Sequence, residues 1–128
     1  MNSIVSLNQQ SLEEALQIKE WGKWAWEGNG KVYPLWIQQM KRAYPDPPKD
    51  SELIGSIDPD YAMTLDAAIC ALGRRNPNDK KTLIKHYVYR IPLSRLAQIE
   101  GKKRHTLRED VNAMLGFLYG MLSDKEMV

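Results

Sequence analysis

Apolar positions in this chain recur at intervals of three and four, the spacing of one face of an α-helix, and no stretch alternates long enough to mark a strand. "SLEEALQIKEWGKWAW" (11–26) places Leu12, Ala15, Leu16, Trp21, Trp24 and Ala25 at that spacing, with Ser11 and Glu14 set as a capping box. "EGNG" (27–30) ends this helix, because its glycines accept the positive φ of a helix terminus. Pro34 suits the first position of a short helix continuing through "LWIQQMKRAY". Three prolines in "PDPPKDS" (45–51) remove donors and fix φ, which predicts a loop.

A third helix is predicted from Asp58 as cap and Pro59 in the first turn, with Tyr61, Ala62, Leu65, Ala68, Ile69 and Leu72 on one face. "GRRNPND" (73–79) breaks it, and a fourth helix through "KKTLIKHYVY" turns Leu83, Ile84, Tyr87 and Val88 inward. In the last third, Ser94 is placed to cap a short helix whose Leu96, Ala97 and Ile99 pack inward. Gly101 supplies a tight turn, and a second helix carries Leu107, Val111, Met114, Leu115 and Leu118 along one stripe. A small residue in the first helix, a glycine in the turn and an apolar stripe on the second are the requirements of a helix-turn-helix. The expected architecture is therefore a compact, all-α single domain over 1–128, with N-terminal helices in 11–44, the proline-rich loop at 45–51 and the helix-turn-helix at about 79–122.

Charge changes the picture. The net formal charge is only +2, but residues 73–112 hold eleven bases against four acids, +7, while the remainder holds seven bases against twelve acids, −5. A chain polarised in this way predicts one part that faces nucleic acid and another that faces something else. The bases concentrate in "GKKRHTLREDV" (101–111), where a helix would open on Lys102, Lys103, Arg104 and His105. Cations oppose the dipole at a helix start by about 0.3–1 kcal/mol each. Phosphates nearby would reverse that penalty and would also accept from the free backbone N–H groups.

At 100° per residue, the face opposite Leu107 and Val111 contains His105, Arg108, Glu109 and Asn112, which would enter a major groove. Thr106 can donate to phosphate, Arg108 can reach guanine acceptors, and Glu109 can accept from a cytosine amino group. Ser94, Arg95, Arg74 and Arg75 are candidates for supporting phosphate contacts.

Other chemistry finds little footing. The single cysteine, Cys70, excludes an internal disulfide and reads as a small buried residue of a protein from a reducing compartment. His86, His105 and Cys70 form no close-spaced ligand pair, and no serine or cysteine stands in a glycine elbow, so neither a metal, a cofactor nor a catalytic site is expected. Trp21 and Trp24 share a helix face that Trp26 does not, which leaves Trp26 partly exposed and a candidate contact for a protein partner. No apolar run approaches membrane-spanning length, and the expected location is cytoplasmic, with no membrane contact.

"HYVYRIPLSRLAQIEGKKRHTLREDVNAML" resembles region 4 of bacterial sigma factors, with Ala97, Gly101, Thr106, Leu107 and Val111 in register. Three stretches in order, "EWGKWAWEGNG" (20–30), "LIKHYVY" (83–89) and the segment after them, resemble the phage antitermination protein Q family, of the short type found in lambdoid phages and prophages. The similarity covers most of residues 18–122.

That resemblance implies a late-gene antiterminator in the cytoplasm of a bacterial host. Such a protein binds a double-stranded DNA element near the late promoter, engages paused RNA polymerase holoenzyme and suppresses termination, and the short type needs no zinc. Carried over by position, the DNA contacts would fall at Lys102 to Arg108 and at Asn112. The sequence departs from the usual motif at Lys103, where a small cap residue is common, at Lys102, where an apolar turn residue is common, and at the acidic Glu109 and Asp110. From the residues alone an ordinary repressor or activator reading an operator, and an interaction protein that meets no nucleic acid, stay open. "NAMLGFLYGML" (112–122) offers a surface for self-association.

Overall fold

The structure is a computed structural model, which describes residues 8–27, 42 and 57–126. Among these residues it is all-α, with no strand. The segments 28–41 and 43–56, with Trp36, the helix expected after Pro34 and the proline-rich loop, lie outside the described residues.

Helix α1 spans Gln9–Leu16 and α2 spans Ile18–Glu27, where the apolar spacing predicts one uninterrupted helix. The interruption is Gln17, in the left-handed region at φ 56° and ψ 38°. Its N–H closes α1 on the carbonyls of Glu13 and Glu14, and its own carbonyl accepts from Trp21 N at 2.9 Å to open α2. The N-terminal cap also differs from the capping box expected at Ser11. Asn8 takes that role, its Oδ1 accepting from Ser11 N at 2.8 Å, so Ser11 lies inside the first turn. The bend rotates the buried face, so Leu12, Leu16, Ile18, Trp21 and Trp24 are interior, while Ala15 is exposed and Glu13 takes an inner place.

Helix α3, Pro59–Arg75, begins as the sequence predicts, with Asp58 accepting from Asp60 N at 3.3 Å and Pro59 in the first turn. Ala62, Leu65, Ala68, Ile69 and Leu72 form its buried face. Tyr61 is half-buried and donates its hydroxyl to the Leu16 carbonyl at 2.7 Å, tying α3 to the end of α1. Cys70 is half-buried rather than buried, with the Lys80 ammonium 3.6 Å from its sulfur. The expected break at 73 arrives only at Asn76, whose side chain accepts from Asp79 N at 3.4 Å and starts α4, Pro77–Leu83.

Helix α4 runs into a π-helical turn, Ile84–Val88, in which Ile84, Tyr87 and Val88 are buried. Helix α2 lies directly on that turn. A Cβ on Gly22 would sit 2.0 Å from the Tyr87 carbonyl oxygen, a clash with backbone that only glycine avoids. The turn closes with Tyr89 N donating to the Ile84 carbonyl at 3.1 Å and His86 Nδ1 donating to the Ile91 carbonyl at 2.8 Å. Two further helices complete the described chain, α5 (Leu93–Glu100) and α6 (Arg104–Glu126). The core gathers α1, α2, α3, the π turn and α6.

Candidate nucleic-acid interface

The cationic segment lies where α5 hands over to α6. Helix α5 presents Leu96 and Ala97, both buried, toward α6, whose Leu107, Val111, Met114, Leu115 and Leu118 are buried as the stripe predicts. Each buried leucine, valine or methionine among them contributes about 1.5–3 kcal/mol, and Ala97 less, so apolar contact holds the two helices together. Two expectations for α5 fail. Ile99 is 52% exposed, because Leu96 and Ala97 already fill the contact and residue 99 lies round the helix from them. Ser94 is not the cap; it lies exposed inside the first turn, and Pro92 occupies the cap position with no side-chain hydrogen bond.

The turn needs glycine for its backbone. Gly101 sits at φ 69°, ψ 29°, and a Cβ there would touch nothing within 4 Å, so conformation and not space selects the residue. Lys102 N donates to the Ala97 carbonyl at 2.9 Å, closing α5 tightly before the chain turns into α6. Leu107 N donates to the Lys103 carbonyl at 3.0 Å, which makes Lys103 the residue that opens α6. No acidic side chain occupies the first turn.

The structure brings most candidate residues to one exposed end. Lys102, Lys103, Arg104, His105, Thr106, Arg108 and Glu109 are all exposed, while Leu107 between them is fully buried. Lys103, Arg104 and Arg108 make no ion pair among the described residues. His105 Nε2 approaches the Glu109 carboxylate at 3.9 Å, one helical turn on. Asn112 departs from the expected face. It is half-buried, and its Oδ1 is covered without a hydrogen-bond partner, because residue 112 lies beside the inward Val111. Arg95 is exposed on α5, and Arg74 and Arg75 are exposed at the end of α3, where cations suit the helix dipole.

Lys102 is placed differently from its neighbours. Its ammonium lies 3.2 Å from Asp110 Oδ2 and 4.0 Å from Glu100 Oε1. It lines a groove of about 560 Å³ between the α3–α4 corner and α6, together with Arg75, Asp79, Asp110, Met114 and Phe117. Arg75 stacks over the Phe117 ring at 5.0 Å in the same groove. Burial, then the Asp110 charge, push the Asp79 carboxyl above its ordinary value, and Lys102 partly opposes them. Sequence reading missed this cluster because residues 79, 102 and 110 belong to three segments with no shared helical spacing.

Trp26 is half-buried, packed edge-on against Tyr89 with ring centroids 5.2 Å apart, so much of its surface is committed to the protein's own core. No group of three His, Cys, Asp or Glu placed to hold a metal ion occurs among the described residues. Among the same residues no helix is long and apolar enough to cross a membrane.

Compared with known proteins, residues 11–127 match the family model described as Phage antitermination protein Q. No curated protein and no solved structure matched.

Proposed function

Because the chain belongs to the phage antitermination protein Q family, we propose that it is a late-gene antiterminator that loads at a duplex element near the late promoter. In this reading residues 1–128 act as one domain, and α5 and α6 serve as a helix-turn-helix with the leading end of α6 in the major groove. Lys103 and Arg104 neutralise phosphates, Thr106 donates to one, and Arg108 reads guanine acceptors. Arg95, Arg74 and Arg75 add backbone contacts on the flanks, with Ser94 beside them. Held there, the protein engages RNA polymerase holoenzyme paused downstream in the host cytoplasm and suppresses termination. Trp26 contributes the exposed part of its ring to a protein partner.

One observation carries the reading: in a chain of this family, three cations that make no ion pair among the described residues stand on the exposed end of a helix whose other face is locked into the core. A helix so anchored presents those cations rigidly, which is what groove recognition demands. In vitro transcription with purified holoenzyme, on a late-promoter template carrying a terminator, tests it. Readthrough should appear with the protein and vanish when the element beside the promoter is scrambled. Equal readthrough from any promoter would defeat loading at DNA, and lowered initiation with no readthrough would assign an operator-binding repressor instead.

A further inference from the structure

Four cationic or titratable residues stand in a row at the turn, yet among the described residues Lys102 alone of the four is drawn to two carboxylates, at 3.2 Å and 4.0 Å. Its main partner, Asp110, lies eight residues on, across the turn in the second turn of α6. Stability gives a weak reason for the pair. Both side chains are more than two-fifths exposed, and exposed ion pairs contribute only about 0–1 kcal/mol. The apolar stripe already fixes α5 against α6 many times more strongly. The pair does remove one positive charge from the row, turning it into the groove beside Asp79 and Arg75.

Resting on the DNA-loading role above, we infer that Asp110 is a positioning residue that acts through Lys102, holding that ammonium away from the phosphates and so weakening binding to every duplex alike. Cations on phosphates bind every sequence alike, because each releases condensed counterions whatever the bases are. Restricting such contacts lowers the affinity for every duplex, and its dependence on salt, while discrimination stays with side chains at base edges. Lys103 and Arg104 supply enough charge to settle on the duplex, and Arg108 supplies the reading. Lys102, held by Asp110 and Glu100, stays out of the non-specific sum. Glu100 is the minor holder, at the longer distance.

The test is a salt titration of binding to the late-promoter duplex and to a scrambled duplex, using the full chain, Asp110→Asn, Asp110→Glu, Lys102→Gln and the Asp110→Asn/Lys102→Gln double variant. Asp110→Asn should bind the scrambled duplex several-fold more tightly at low salt and steepen the fall of log K with log salt by about 0.9, one added phosphate contact. Because that contact is independent of sequence, the promoter duplex should tighten by the same factor, and a changed preference would overturn the inference. Asp110→Glu, which keeps a carboxylate within reach, should retain the original slope. On the Lys102→Gln background, Asp110→Asn should leave the slope unchanged. The inference is overturned if Asp110→Asn leaves the slope as it was. It is equally overturned if the steepening persists without Lys102, since the carboxylate would then act on the duplex directly. If Asp110→Asn melts early, Glu100→Gln must show a smaller steepening in the same direction, and no steepening overturns the inference. Failure of the unaltered chain to bind any duplex would instead sink the DNA-loading reading itself.

Discussion

Around the π turn, polar side chains are spent on holding helices to one another; at the leading end of α6 they are left on the surface. Tyr87 donates to the buried Glu13 at 2.6 Å, Trp21 Nε1 to Asp66 at 3.3 Å and His86 to the Ile91 carbonyl. Burial, reinforced by that bond to Glu13, pushes the Tyr87 phenol far above its ordinary range, so it remains a donor. The α5–α6 pair is joined through Leu96, Ala97 and the apolar stripe, and polar residues 103–106, 108 and 109 lie outside it. The first region uses polarity to define a geometry; the second uses apolar contact for that purpose and leaves its polarity at the surface, where the proposed function places the duplex. Substitutions should therefore damage folding in the first region and recognition in the second.

The sharpest break is Gly22→Ala. Its Cβ meets the Tyr87 backbone, which cannot swing aside, and the loss should approach about 3 kcal/mol, at the upper end for overpacking. Thermal melting should fall by roughly 10 °C, and an unchanged midpoint would mean that α2 does not lie on the turn as described. Arg108→Ala should do the reverse: binding to the matched element weakens by about 1–3 kcal/mol while the melting temperature holds. Equal weakening on matched and scrambled duplexes would remove its base-reading role. Tyr87→Phe removes the shorter of two donors to Glu13 Oε2, leaving Gln9 Nε2 at 3.1 Å, and the loss of that hydrogen bond to a carboxylate should cost about 1.5–3 kcal/mol in denaturant unfolding with DNA affinity retained.

Smaller effects sharpen the contrast. Burial, the leading cause, holds the His86 imidazole below its ordinary value of 6.5, although the Ile91 carbonyl and Glu13 raise it in part. The unfolded chain thus takes up the proton first, and stability should decline as pH falls through 6.5 toward the lower folded value. His86→Gln should flatten that decline, and an equal decline would place the proton uptake on another group. The smallest effect belongs to Gly116 on the outer side of α6, where a Cβ would meet nothing within 4 Å. Gly116→Ala should raise stability by up to about 1 kcal/mol through helix propensity alone.

Much of this was legible in the sequence where local rules agree. Asp58 with Pro59 announced α3, and the recurrence of Leu107, Val111, Met114, Leu115 and Leu118 announced the inner face of α6. The bend at Gln17 was not, because glutamine carries no breaker signal and adopts a positive φ only where the packing of α1 and α2 requires it. The Tyr87–Glu13 bond joins residues 74 apart, and periodicity says nothing at that range. At the candidate interface, the exposed cations followed from the helical wheel. Exposure of Ile99, burial of the Asn112 oxygen and capture of Lys102 depend on how α5, the turn and the α3–α4 corner meet in space.

Amide hydrogen exchange on the full chain, with and without a late-promoter duplex, tests the proposed contact directly. Slowed exchange concentrated at 103–109, with α1, α2 and the π turn unaltered, is the expected result. Protection confined to the N-terminal helices, with 103–109 exchanging as in the free protein, would contradict it.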